Sequence, residues 1–147
     1  MEFDVITIGR VSMDLLTVDV TGNHVYNSTE GIRFYVRWRR TVTALIADNE
    51  VHDNERGIYC HNRYYVEFMP QVTGNRVYNN SGEGMRFSQQ DGQNSHVPVL
   101  TLNEVYGNGS TGVYLQGNLA VDVLYNDVHD NGGTGLYLAA GDGSGSL

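Results

Sequence analysis

The chain has no lysine: all nine of its basic residues are arginine, set against 17 acidic residues for a net charge of −8. Without lysine there is no Schiff-base nucleophile and no Walker-type lysine to grip a phosphate. The acidic balance argues against holding nucleic acid through its phosphates, which needs a surplus of positive charge. A single cysteine, Cys60, excludes an intrachain disulfide. Proline occurs only as Pro70 and Pro98, so the chain is not a proline-rich linker. No apolar run approaches the roughly 20 residues that span a bilayer as a helix. Neither nucleic acid nor membrane is therefore an expected partner. The opening Met1–Arg10 lacks the charged start and apolar core of a secretory signal.

What the chain has in quantity is glycine, with 18 residues, and asparagine, and both recur at fixed intervals. The phrase Asn-x-Val-(Tyr/His)-(Asn/Asp/Gly) begins at Asn23, Asn49, Asn75, Asn103 and Asn126, with spacings of 26, 26, 28 and 23 residues. Eight or nine residues after each leading asparagine, a glycine opens a short apolar alternation. These glycines are Gly31, Gly57, Gly84, Gly112 and Gly135. A period of this size signals stacked supersecondary units. Within each unit the apolar residues alternate, which is strand periodicity, and no window carries a helical pattern.

One such unit cannot bury its own apolar face, but stacking aligns three inward rows. Ile32, Ile58, Met85, Val113 and Leu136 form one; Phe34, Cys60, Phe87, Leu115 and Leu138 a second; Val25, Val51, Val77, Val105 and Val128 a third. Each fully buried aliphatic or phenylalanine in such a row contributes roughly 1.5–3 kcal/mol. Equivalent strands then lie parallel, about 4.8 Å apart, and parallel crossovers are overwhelmingly right-handed. The fold class is all-β: a right-handed parallel β-helix, a single-stranded solenoid of about five coils. The expected organisation is a solenoid over residues 1–140, with a partial first coil at 1–22 and a flexible tail at 141–147. The recurring asparagine suits a corner, where its amide tolerates left-handed φ and can ladder with its copies. The recurring glycines are expected to mark sharp turns. No capping helix is visible, so open sheet edges invite end-to-end self-association.

The phrase Asn-x-Val-x-x-Asn followed by Gly-(Ile/Val/Leu)-x-(Leu/Phe), seen over about residues 17–140, resembles the repeat of the pectate-lyase-like β-helix superfamily. That superfamily includes polysaccharide lyases, glycoside hydrolases, uronate epimerases, phage tailspikes and non-catalytic surface modules. The resemblance implies an extracellular or cell-surface module, part of a larger parent, that meets polysaccharide. The Asp-Pro-His signature of the epimerases and the paired-aspartate and His-Gly signatures of polygalacturonases are absent. A shorter stretch, Phe3–Asp14, resembles the opening strand of ribokinase-like sugar kinases, and Ala139-Ala-Gly-Asp142 echoes their late Gly-Ala-Gly-Asp motif. Five solenoid coils leave no room for that α/β fold, so the opening reads as coincidence or a fused start segment.

The outward positions after each glycine are the natural place for a site. The second position gives Arg33, Tyr59, Arg86, Tyr114 and Tyr137, and the fourth gives Tyr35, His61, Ser88, Gln116 and Ala139. On one sheet these form two adjacent stripes. Tyrosine faces stack on sugar rings, and arginine pairs bidentately with a uronate carboxylate. The expected carbohydrate-binding set is Arg33, Tyr35, Tyr59, His61, Arg86, Tyr114, Gln116 and Tyr137. The bland alternative is an ordinary exposed strand face. If the module is instead a lyase or epimerase, Tyr59, His61 and Arg63 are the proton-transfer candidates, clustered with Glu30, Arg56 and Glu83. Glu30 and Glu83 would flank Arg56 about 9.6 Å apart, at the long end of the inverting-glycosidase range, and an ordinary alternating-charge ladder is the favoured reading of them. A pure structural spacer is the remaining possibility.

No cofactor is expected. The corner oxygens of Asp53, Asn54, Asn79, Asn80, Asn108, Asp130 and Asn131 are the only candidates for Ca²⁺, against a plain reading as stacked turns. His52 and His129, three coils apart, cannot share a metal. Cys60 faces inward as an inert core thiol. Arg33–Arg40, with Trp38, is the one basic run, read either as a polyanion site or as a solvated loop.

Overall fold

The computed structural model describes residues 15–37, 41–63, 66–90, 95–117 and 120–140. Every regular element among them is a strand. The first coil holds β1 (Leu15–Thr21), β2 (His24–Tyr26) and β3 (Glu30–Arg37). The second holds β4 (Thr41–Ala47), β5 (Glu50–His52) and β6 (Arg56–Arg63), and the third β7 (Glu67–Thr73), β8 (Arg76–Tyr78) and β9 (Met85–Gln90). The fourth holds β10 (Ser95–His96), β11 (Val99–Thr101), β12 (Glu104–Tyr106) and β13 (Val113–Gly117). The fifth holds β14 (Asp122–Leu124), β15 (Asp127–His129) and β16 (Leu136–Ala140). Every pairing is parallel and joins neighbouring coils. The strands form three sheets: β1-β4-β7-β11-β14 with β10 also on β7, then β2-β5-β8-β12-β15, then β3-β6-β9-β13-β16. This is the expected all-β parallel solenoid, five coils stacked through four interfaces.

The register aligns the predicted rows residue by residue. Ile32 pairs Ile58, Ile58 pairs Met85, Met85 pairs Val113 and Val113 pairs Leu136. Phe34, Cys60, Phe87 and Leu115 are buried behind them, as are Val25, Val51, Val77 and Val105. The first sheet adds a fourth wall of Val20, Ile46, Val72, Leu100 and Val123. Here the simple alternation of Val99-Leu100-Thr101 misleads, because Leu100 points inward and its neighbours outward. Pro70 stands in the middle of this sheet beside Ala44. On its other side the register of β10 and β11 places Pro98 opposite it. The residue that donates no ladder bond thus lies at the break between two short strands, where little is lost.

The corners show where the asparagines act. Asn23, Asn49, Asn75, Asn103 and Asn126 form one continuous ladder, each backbone N–H and side-chain Nδ2 donating to Oδ1 of the asparagine one coil on, at 2.8–3.0 Å. A second ladder runs through Asn54, Asn80, Asn108 and Asn131, with Ser28 heading it through its backbone N–H. The left-handed residue is not the ladder-forming asparagine, as expected from sequence, but the residue before it. Gly22, Asp48, Gly74, Leu102 and Tyr125 hold positive φ at one corner; Asn27, Asp53, Asn79, Gly107 and Asp130 hold it at the other.

The recurring glycines also differ from expectation. None of Gly31, Gly57, Gly84, Gly112 and Gly135 has positive φ. All but Gly135 are required by close approach: a Cβ on Gly57 would lie 2.3 Å from the Gly84 carbonyl oxygen and 2.5 Å from Val77. Gly31, Gly84 and Gly112 are hemmed in the same way by the next coil's glycine carbonyl, a valine and a ladder asparagine. Residues 1–14 and 141–147, which include the kinase-like opening, the start of the expected first coil and the expected tail, lie outside the described residues.

Two stability outcomes follow. Asn75→Ala strands the N–H and Nδ2 of buried Asn49 and removes the donors to Ile46 and Thr73 carbonyls. Urea unfolding should show a loss of about 3 kcal/mol or more, since each buried unsatisfied polar group costs about 1–3 kcal/mol. Leu102, at φ 57° and 65% exposed, occupies a site where glycine stands in two other coils. Leu102→Gly should raise stability by about 1 kcal/mol, the cost of a left-handed bulky residue less the added freedom of the unfolded chain.

Candidate functional site: the outer face of the third sheet

The alternation that buries Phe34 and Val36 turns Arg33, Tyr35 and Arg37 outward from β3. The same period turns Tyr59, His61 and Arg63 outward from β6, Arg86 and Ser88 from β9, and Tyr114 and Gln116 from β13. Both predicted stripes are therefore real rows, one coil apart at each step, with Tyr137 and Ala139 continuing them on β16. A third outward row, Arg37, Arg63 and Gln90, extends the face by one more position. Arg33–Arg37 is thus strand, not the solvated loop considered above, and Trp38, Arg39 and Arg40 lie outside the described residues.

Glu30, Arg56 and Glu83 border the face on one side. Arg56 bonds Glu30 Oε1 at 3.1 Å through Nη1 and Glu83 Oε2 at 3.2 Å through Nε. Arg33 pairs with Glu30 and Arg86 with Glu83, both at 2.8 Å. Burial raises the Glu83 pKa, but its backbone hydrogen bond and the charges of Arg86 and Arg56 outweigh this and hold it below the ordinary carboxylate value. With an arginine between them and each carboxylate paired, Glu30 and Glu83 form the charge ladder and not a glycosidase acid–base pair.

The middle of the face is cationic and aromatic. Arg33 lies over the rings of Tyr35 and Tyr59, with its guanidinium carbon 5.1 and 5.8 Å from their centroids. Arg37 lies 4.1 Å from the Tyr35 centroid, and Arg86 4.7 Å from that of Tyr114. Arg86 also donates to Gln116 Oε1 at 3.2 Å. Tyr35 stacks on His61 at 5.1 Å, and Tyr114 stacks on Tyr137 at 5.2 Å. Burial raises the Tyr35 pKa, yet hydrogen bonds and charge from Arg63 and Arg37 bring it net below its ordinary value.

His61 is the electrostatic centre of this arrangement. Its Nδ1 is 2.7 Å from Ser88 Oγ. Burial, then the charges of Arg63, Arg33, Arg86 and Arg37, push its pKa down to about 4. A base that weak is poorly matched to proton abstraction near neutral pH, where the useful pKa lies close to the working pH. Of the four guanidinium groups that disfavour a proton on His61, Arg33 and Arg86 are themselves paired with Glu30 and Glu83. Among the candidate catalytic residues, Tyr59, His61 and Arg63 do share one surface, but His61 serves it as a neutral, hydrogen-bonded ring.

The other candidates resolve differently. The amide oxygens of Asn80, Asn108 and Asn131 each accept two bonds within the corner ladder, and Asn54 accepts from Ser28. Asp53 and Asp130 bond His52 and His129 Nδ1 at 2.7 and 3.0 Å. The ladder oxygens are committed to the stack, which favours the plain reading as stacked turns over a Ca²⁺ cage. Tyr26, His52, Tyr78, Tyr106 and His129 form a continuous ring stack on the second sheet, with centroids 4.8–5.5 Å apart. Cys60 is fully buried, and burial raises its thiol pKa, as expected of an inert core residue.

The depressed pKa of His61 sets a pH dependence. The unfolded chain takes a proton near pH 6.5, which the folded chain refuses until about pH 4. The stability tied to neutral His61 is therefore complete above pH 6.5 and declines as pH falls towards 4. His61→Asn should show a shallower loss of Tm than the parent chain across that window. Proton NMR of the parent chain should place the His61 midpoint well below that of an ordinary histidine.

No curated protein and no solved structure matches the chain. The sequence model described as "Right handed beta helix region" matches residues 17–146. It covers every described coil, although β1 begins two residues earlier, and it leaves out the kinase-like opening. The parallel stacking, the asparagine corners and the aligned rows agree with that match: the chain belongs to the right-handed β-helix family.

Proposed function

We propose that this β-helix is a non-catalytic module that binds acidic polysaccharide across the outer face of its third sheet. The observation that carries this reading is the gathering of Arg33, Arg37, Arg63 and Arg86 around His61 in a chain whose net charge is −8. Glu30 and Glu83 pair with Arg33, Arg56 and Arg86 at one border, three arginines against two carboxylates, and Arg37 and Arg63 lie farther along the face. A guanidinium offers planar, bidentate donors to a carboxylate. The rings of Tyr35, Tyr59, Tyr114 and Tyr137 supply the flat apolar faces on which sugar rings stack. The rows rise by about 4.8 Å per coil, so an extended chain crossing the coils meets a new ring or guanidinium at every step. Such a ligand places the module outside the cell or at its surface.

A lyase or epimerase at the same face is the alternative, with Tyr59, His61 and Arg63 beside the reacting sugar. The low basicity of His61 counts against it. Electrophoresis of the folded chain through gels containing polygalacturonate, alginate or neutral xylan tests both. Retardation is expected in a uronate gel, weakening as salt rises, and absent in xylan. Arg63→Ala and Tyr59→Ala should each weaken it about tenfold, the scale of one charged hydrogen bond or ring contact. Equal mobility in every gel would sink the binding reading. Release of unsaturated uronates, abolished by His61→Ala, would replace it with the enzyme.

A further inference from the structure

The second sheet carries a separate convergence that the polysaccharide reading does not use. His24 on β2 pairs in register with Glu50 on β5, and His52 lies diagonally across from His24 on the same outward face. The Nε2 atoms of His24 and His52 are 2.5 Å apart, and Glu50 Oε2 is 3.7 Å from His24 Nε2. One ligand atom from each residue can be chosen so that all three lie within 4.8 Å of one another. We propose that His24 Nε2, His52 Nε2 and a Glu50 carboxylate oxygen form a Zn²⁺-binding site.

The surroundings orient these ligands as a metal site requires. His52 Nδ1 lies 2.7 Å from Asp53 Oδ2. A carboxylate can only accept, so Nδ1 carries the hydrogen and the neutral ring turns its lone pair at Nε2 outward. That is the carboxylate–histidine–metal arrangement in which an outer carboxylate fixes the tautomer of a ligand. Glu50 is held likewise. Its Oε1 accepts from Tyr78 Oη at 2.8 Å and from Arg76 Nη1 at 3.3 Å, leaving Oε2 towards the histidines. The Tyr78 bond comes first among the influences that keep the Glu50 pKa below the ordinary carboxylate value.

The two imidazole nitrogens face each other at 2.5 Å, shorter than an ordinary hydrogen bond. Around a tetrahedral zinc, with bonds of about 2.0–2.1 Å, they would stand about 3.3 Å apart. The rings need open by less than about 1 Å to admit the ion. Two imidazoles and one carboxylate suit a borderline cation such as Zn²⁺ and not Ca²⁺, which takes six to eight oxygens. Three protein ligands leave a fourth position for water. The site would join the first coil to the second across β2 and β5.

Calorimetric titration of the metal-free chain with zinc sulfate, in a non-chelating buffer, tests the proposal. One Zn²⁺ per chain is expected. His24→Ala, His52→Ala and Glu50→Gln should each weaken binding by at least about tenfold, since losing even an outer partner of a ligand costs that much. His24 is an exposed residue, so its loss should leave the strand content unchanged by circular dichroism. His129→Ala is the control: it has the same carboxylate-bonded imidazole, beside Asp130, but no second histidine one coil away. No saturable uptake at millimolar zinc would overturn the site. So would uptake that His24→Ala or His52→Ala leaves unchanged.

Discussion

Everything in this solenoid depends on how the corners satisfy their backbone. A parallel sheet pairs its strands along their length, but each coil must also bend, and at a bend the N–H and C=O groups lose their ladder partners. At the two described corners of each coil a left-handed residue makes the bend, and the asparagine that follows (Ser28 at one corner of the first coil) returns the missing bonds. Asn75 is typical: its Oδ1 accepts from the N–H and Nδ2 of Asn49, while its own Nδ2 donates to the Ile46 and Thr73 carbonyls and to Asn103 Oδ1. Because the same side chain touches the coil before and the coil after, it fixes the vertical alignment of both. A slip of one residue would break the ladder and turn every buried side chain of the strand outward. The rows on the surface, and whatever they bind, are consequences of that alignment.

The same alignment explains how an acidic chain carries a cationic face. A residue type repeated at one phrase position becomes a column, so charge concentrates by position and not by overall composition. Alternation within a column is self-neutralising, as in Glu30–Arg56–Glu83 and in Glu50–Arg76–Glu104. Where arginines fall in neighbouring columns without carboxylates between them, the field accumulates, and His61 registers it. The separation of roles is local. The paired arginine Arg56 belongs to the scaffold, while Arg37 and Arg63, seven positions farther along the strands, extend the open part of the face.

Parallel stacking in register is the reason so much could be read from residues alone. The phrase beginning at Asn23 and the glycines from Gly31 onward map directly onto rows, so three of the core walls and both outward stripes were legible as residue numbers. The fourth wall was not, because its coils repeat only loosely: Val18-Asp-Val20 stands in register with Ala44-Leu-Ile46 and Pro70-Gln-Val72, and in the fourth coil only Leu100 of Val99-Leu100-Thr101 is buried. The glycines were recognised for the wrong reason. A requirement for small size and one for positive φ leave the same letter in a sequence, and only the approach of Val77 and Gly84 to Gly57 separates them. The second asparagine ladder was visible as a column, read as stacked turns with Ca²⁺ donors as the alternative, since sequence shows the amides and not the donors that already occupy them. The meeting of His24 with His52 was missed because it is diagonal: the two histidines hold different positions in the phrase, and a reading by columns never sets them together.

The asparagine ladder also has a direction. Every bond in it runs the same way, with donors on one coil and the accepting Oδ1 on the next, from Asn23 through to Asn126 and from Ser28 through to Asn131. The stack is therefore chemically polar along its axis: a ladder oxygen, that of Asn23, marks one end and the N–H groups of Asn126 and Asn131 mark the other. A further coil, from whatever source, continues the pattern only by arriving parallel and head to tail. Two copies meeting through like ends would set acceptor against acceptor or donor against donor. The corner chemistry that holds the molecule together thus gives the stack a polar axis, along which a two-fold symmetric junction through the ladder would set like groups against each other.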